Sequence, residues 1–152
     1  MTALLLFLLA VEPELPMAKD FEAKELAGAT IRLGDLRGKI VLLNFWGIWC
    51  KSCRQEIPHL AELDRAWRDK GLVVLGADYG DAPSDLEPFA KELGMTYPIL
   101  VDDGLADLYE VLVYPTSVVI DREGRVRLRV EGYREESFEE MKALVERLVQ
   151  EK

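Results

Sequence analysis

Two kinds of hydrophobic spacing divide this chain. Residues 40–46 (Ile-Val-Leu-Leu-Asn-Phe-Trp) form a nearly unbroken apolar run of strand formers behind the turn Arg37-Gly38-Lys39. A run of that length predicts a central strand covered on both faces. Residues 72–77 repeat the pattern and predict a second buried strand. Between them, Ile57, Leu60, Leu63, Ala66 and Trp67 recur every three to four positions. That spacing predicts a helix over 51–69 with one buried face, and Pro58 is expected to kink it.

Further along, Ser84 or Asp85 can cap a helix that runs to Leu93 and closes at Gly94. Residues 97–101 read as a short strand and 105–112 as a short helix. Residues 116–120 and 126–130 predict a hairpin around Asp121-Arg122-Glu123-Gly124. A last helix over 135–150 packs through Phe138, Met141, Leu144, Val145 and Leu148. Upstream, Thr30-Ile-Arg-Leu33 is a strand candidate within an N-terminal strand pair. The order is strand pair, alternating helix and strand, hairpin, helix. It predicts an α/β three-layer sandwich: a central mixed β-sheet with a parallel core, helices on both faces, and antiparallel strands added by the hairpin.

The amino terminus stands apart. Residues 3–11 are unbroken apolar, the length of a signal-peptide core but short of the roughly 20 residues that span a bilayer. No Lys or Arg precedes them and no clear small-x-small cleavage site follows. They read as the remnant of an export signal or anchor, with a buried strand or helix as the alternative. Glu12-Pro-Glu-Leu-Pro16 cannot continue a helix and reads as a linker. The expected division is thus 1–19 as apolar segment and linker, and 20–152 as one compact domain.

At 152 residues and 49% hydrophobic, the chain can bury a core without disulfide staples. Its 28 acidic and 19 basic residues give a net charge of −9. That balance argues against nucleic acid, whose phosphates draw on a basic face. The only cysteines are Cys50 and Cys53, and the only histidine is His59. Three such ligands fall short of a closed zinc site, which takes four; no resident metal or cofactor is expected. A C-x-x-C beside a strand points instead to a redox dithiol.

Cys50 falls between a buried strand and a helix, where unpaired N–H groups and the helix dipole stabilise a thiolate. It is therefore expected to be the exposed nucleophile, with Lys51 as a nearby cation. Cys53, one turn on and more buried, would resolve the mixed disulfide. Glu56, three residues after Cys53, shares its helix face and could take or return its proton, or raise its pKa by repulsion. The competing reading makes Glu56 an ordinary acid near a helix start.

The segment Asn44-Phe-Trp-Gly-Ile-Trp-Cys-Lys-Ser-Cys-Arg-Gln-Glu-Ile-Pro58 resembles the active-site segment of thioredoxin-like proteins, closest to the membrane-tethered extracytoplasmic branch of the ResA and TlpA type. Val113-Tyr-Pro-Thr116 is similar to that family's second signature, in which the proline is cis and faces the dithiol. Asp20-Phe21, Gly38-Lys39 and Ile120-Asp121 with Gly124 also match. Within the family, residues 80–103 resemble the helix–strand insertion of this branch. Asn44 stands where cytosolic thioredoxins carry a buried Asp.

The resemblance implies a thioredoxin-like fold and a thiol–disulfide oxidoreductase acting on protein thiols and disulfides, supplied by an upstream redox donor. It implies a catalytic role for Cys50, Cys53 and Glu56, and substrate contact through Trp49, Tyr114 and Pro115. Trp46 and Trp49 would support and cover the dithiol; His59 receives no role. It further implies reduction of apocytochrome c cysteines, a monomer, a possible membrane tether through the N-terminus, and an extracytoplasmic location, periplasmic or anchored facing outward, with the cytoplasm as the alternative. Ser52 departs from the usual proline. Its N–H or hydroxyl could bond the Cys50 sulfur, favour the thiolate and move the couple in the oxidising direction. Two other functions fit the dithiol. A thiol peroxidase on this fold would want a Thr three residues before Cys50, where Gly47 stands; a Cu(I) carrier would want a partnering His other than His59.

Overall fold

The run at residues 40–46 is the middle of the molecule. In the computed structural model, which describes residues 13–101 and 104–151, β3 (Ile40–Trp46) is buried along its whole length. It pairs in parallel with β4 (Leu72–Asp78) and antiparallel with β6 (Thr116–Ile120). With β1 (Glu22–Glu25), β2 (Thr30–Arg32), β5 (Ile99–Val101) and β7 (Val126–Glu131), the sheet has seven strands in the order β2-β1-β5-β4-β3-β6-β7. Only the β3–β4 and β4–β5 contacts are parallel; two hairpins (β1–β2, β6–β7) and the long-range pairs β1–β5 and β3–β6 are antiparallel. The expected mixed sheet with a parallel core is what forms.

Alternation sorts the core into two layers. Val41, Leu43, Phe45, Leu75 and Ala77 pack with Phe21, Leu33 and the short α3 (Leu105–Leu108). Ile40, Leu42, Leu72 and Val74 pack on the opposite side with α1 (Lys51–Trp67) and α4 (Glu135–Gln150). Near the carboxyl end of β3 that second layer continues as Trp46, Cys50, Cys53 and Ile57 against Leu86 and Phe89 of α2 (Pro83–Leu93). The inserted α2–β5 unit therefore backs the cysteine pair.

Several boundaries differ from expectation. The buried face of α1 holds Ile57, Leu60, Ala61, Leu63 and Asp64; Ala66 is exposed, while Trp67 is half-buried against the core. The α1 assignment is continuous through Pro58 and ends in a 3-10 turn over Arg68–Lys70. Neither Ser84 nor Asp85 caps α2. Ala82 is the cap residue and Pro83 opens the helix, where a missing N–H costs nothing; Gly94 closes it as expected. The helix expected over 105–112 stops at Leu108. Glu110 turns to a positive φ of 54° there, and Arg129 binds the freed carbonyls of Tyr109 and Glu110 at 2.8 and 3.1 Å. Pro98 shortens the expected 97–101 strand to β5.

The body also takes up the chain before Asp20. Pro16 and Ala18 exchange backbone bonds with the β6–β7 turn: Val126 N donates to Pro16 O, and Ala18 N to Gly124 O, both at 2.8 Å. The apolar segment 3–11 lies outside the described residues.

Candidate active site

The path from β3 to α1 places the cysteines. Trp46 ends the strand, Gly47-Ile-Trp49 turns the chain, and Cys50 takes the cap position of α1. Gly47 is needed because the indole edge of Trp49 lies over it, where any Cβ would collide. Two carboxylates hold the turn from the next loop: Asp81 Oδ2 accepts the Ile48 N–H at 2.8 Å, and Asp78 Oδ2 accepts the Asp81 N–H at 2.9 Å. Neither was legible from local pattern, since both lie some thirty residues downstream of the turn they fix.

Cys50 and Cys53 form a disulfide. The Cys53 N–H donates to Cys50 Sγ at 3.2 Å, so the sulfur does what a Ser or Asp oxygen does at most helix starts. The pair is less open than expected. Cys50 is 4% exposed and Cys53 0%, and the partly buried Tyr114 packs against their cluster. That burial corrects the expectation of an exposed nucleophile; Cys50 is the outer of the two. The Ser52 hydroxyl lies 3.6 Å from Cys50 Sγ. Of the two routes foreseen for Ser52 the hydroxyl is the one seen, while the backbone donor to this sulfur comes from Cys53.

Glu56 is 2% exposed, beneath α1 against the sheet. Asn44 Nδ2 donates to its Oε2 at 3.1 Å and Ser117 Oγ to its Oε1 at 3.4 Å. Burial raises its pKa from 4.5 to about 7, and the two hydrogen bonds limit the rise. The acid thus titrates near neutrality. Glu56 lies beyond the first turn of α1, which holds no acidic residue.

The rim is aromatic. The Tyr114–Pro115 bond is cis. Trp49 and Tyr79, 60% and 54% exposed, meet edge to face at 6.2 Å, and Tyr114 lies 5.4 Å from the first ring and 5.0 Å from the second. Sequence reasoning brought Trp49, Tyr114 and Pro115 together but missed Tyr79, whose only signal was an aromatic residue just after a buried strand. Behind the disulfide, Trp46 stacks on Phe89 at 5.0 Å, and the Arg54 guanidinium caps Phe89 while pairing with Glu92. His59 sits elsewhere, against Tyr133 and Phe138.

The arrangement provides a thiol pair that can be made and broken, an acid able to carry a proton at neutral pH, and an exposed aromatic collar. Comparison with known proteins agrees. The model of the AhpC/TSA family matches residues 16–129. The thiol–disulfide oxidoreductase ResA of Geobacillus thermodenitrificans is 39% identical over 117 residues, covering 76% of this chain and 67% of that protein. Among solved structures, a Chlorobium tepidum protein described as a thiol:disulfide interchange protein DsbE superposes with a TM-score of 0.82 at 27% identity, over 90% of this chain and 98% of that one. The exposed lipoprotein thioredoxin of Streptococcus pneumoniae is 32% identical with a TM-score of 0.69, over 83% and 99%.

Proposed function

The chain belongs to the AhpC/TSA family and is a thioredoxin-like thiol–disulfide oxidoreductase; from that premise we propose that Cys50 is its nucleophile, Cys53 its resolving thiol and Glu56 the acceptor of the Cys53 proton. The observation that carries this assignment is the capping geometry. Cys50 Sγ receives the N–H of Cys53 at 3.2 Å at the start of a seventeen-residue helix, so charge on that sulfur is stabilised.

In the reducing direction the Cys50 thiolate attacks one sulfur of a substrate disulfide. A mixed disulfide forms, and the other substrate sulfur leaves as a thiolate that takes a proton. Cys53 then passes its proton to the Glu56 carboxylate and attacks Cys50 Sγ. The Cys50–Cys53 bond forms, the bond to substrate breaks, and two electrons have moved to the substrate. An upstream dithiol donor restores the starting state. Trp49, Tyr79 and Tyr114 receive the polypeptide flanking the substrate sulfur, beside the backbone at Pro115.

Protein thiols and disulfides are the substrate class. Within it, the resemblance to the ResA and TlpA branch favours apocytochrome c cysteines. An extracytoplasmic site of action is supported by the pneumococcal relative, described as an exposed lipoprotein. No helix among the described residues is long and apolar enough to cross a membrane. The Cu(I) alternative is weakened because His59 packs on Tyr133 and Phe138 instead of facing the sulfurs.

Trapping tests the roles. Cys53→Ser should accumulate a covalent adduct with a disulfide-bearing protein, and Cys50→Ser should accumulate none. Equal trapping by both variants would remove the assignment.

A further inference from the structure

The hydrogen bonds around Glu56, as they stand, suit its ionised form. Asn44 and Ser117 are direct partners across the β3–β6 ladder, and both are buried. Asn44 Nδ2 gives one proton to Glu56 Oε2 and the other to Ser117 Oγ, at 3.1 and 2.9 Å. Ser117 Oγ passes its own proton toward Glu56 Oε1. Every donor therefore runs toward the carboxyl group, which suits a carboxylate, an acceptor without a proton to give. The atom left over is Asn44 Oδ1, buried and without a partner among the described residues.

Protonation reverses the requirement. A neutral Glu56 must donate, and the Nδ2 facing it cannot accept. The Ser117 hydroxyl can accept that proton by turning its own away, and Asn44 Oδ1, buried without a partner among the described residues, faces Glu56 in place of Nδ2 after a half-turn of the amide about Cβ–Cγ. The Ser117 hydroxyl rotates freely enough to follow. Such amide and hydroxyl orientations are set by the surrounding bonds. The geometry points to Asn44 and Ser117 as positioning residues for Glu56: a rotatable amide and a rotatable hydroxyl that satisfy the carboxyl group with or without its proton, the amide by exchanging Nδ2 for Oδ1. An Asp at position 44 could do neither, since it would set a second carboxylate against the first.

The titratable groups around Glu56 come from several elements. Cys53 lies one turn earlier on α1. Tyr97, ahead of β5, and Tyr133, ahead of α4, both have phenol pKa values raised in part by Glu56, and both remain neutral. Asp64, on the same helix, acts on Tyr97. His59 faces Tyr133 from the exposed side of α1.

The assignment rests on Glu56 exchanging a proton at the dithiol, but it is tested apart from that role. The full chain in its disulfide form, with carbon-13 in Glu and nitrogen-15 in Asn, is titrated by NMR so that neither thiol contributes. Glu56 Cδ and the Asn44 side-chain amide should move together with one midpoint near 7. Asn44→Leu should raise the Glu56 midpoint by about one to two pH units, the loss of a bond to a charged group, and Ser117→Ala should raise it by less. A still Asn44 amide across the Glu56 titration, or a Glu56 midpoint unmoved by both substitutions, would overturn the proposal. If Asn44→Leu does not fold, the unsubstituted protein and Ser117→Ala decide. Exchange kinetics of Glu56→Gln test the catalytic role separately, so one can fail while the other stands.

Discussion

Replacing Glu56 by Gln should change the pH dependence of stability in a calculable way. The carboxyl titrates near 7 in the folded protein against an ordinary value of 4.5. A folded-state pKa above the unfolded value means the native protein holds a proton the unfolded chain has lost. Below pH 4.5 both states are protonated and burial carries no charge penalty. From 4.5 to 7 stability falls as pH rises, and above 7 the full cost of a buried carboxylate is present. A gap of about 2.5 pH units at about 1.4 kcal/mol each amounts to about 3 kcal/mol. Gln removes the titration and keeps an oxygen to accept from Asn44. Urea unfolding of the two disulfide-intact proteins at matched pH values gives the comparison, since every other carboxylate is common to both. The stability of Glu56→Gln minus that of the original should climb by about 3 kcal/mol between pH 4.5 and pH 7 and then level. Parallel profiles across that interval would refute the raised pKa and remove the physical basis for proton transfer at Glu56.

In the dithiol form, Glu56→Gln should slow disulfide exchange near neutral pH and flatten the limb of the pH–rate profile that Glu56 governs, read by stopped-flow at several pH values. Ser52→Ala and Ser52→Pro should lower the reduction potential equally, by roughly 30 mV for a bond worth about 1.4 kcal/mol, because the hydroxyl is what approaches Cys50 Sγ at 3.6 Å; equilibration with glutathione at fixed pH measures it, and a drop confined to proline would return the effect to the N–H. Gly76→Ala should cost about 1–3 kcal/mol in urea unfolding, because its Cβ would meet Trp46 Nε1 at 2.8 Å and the Tyr97 ring at 3.0 Å while Trp46 is held by Phe89. Tyr79→Ala should raise KM for a protein disulfide roughly 2- to 10-fold with kcat kept, as loss of one aromatic contact implies; an unchanged KM would take Tyr79 out of substrate binding.

Local pattern made much of this protein legible. The strands at residues 40–46 and 116–120, the helices α1 and α4 and the dithiol between strand and helix all follow from spacing within single segments, where burial of one face dictates the period. Side-chain chemistry combined with position was enough to propose Cys50 and Cys53. The misread ends have other causes. The chain after α3 is held by Arg129, which reaches back from β7 to the carbonyls of Tyr109 and Glu110, and α2 is opened by Pro83 without a side-chain cap.

What only the tertiary structure decided are the relations between segments distant in sequence. Asn44 and Ser117 are 73 residues apart, yet one ladder register sets them side by side under Glu56. Asp81 fixes the turn before Cys50 from 33 residues away, and Tyr79 joins Trp49 and Tyr114 only because β4 ends beside β3. The sequence could name Glu56 as an acid three residues from a cysteine. Its neutral-range pKa depends on burial against the sheet and on two donors supplied by other strands, and neither is encoded in the helix that carries it. Periodicity determines which face of an element turns inward; the field and the hydrogen bonds that meet it there belong to whatever the packing brings opposite.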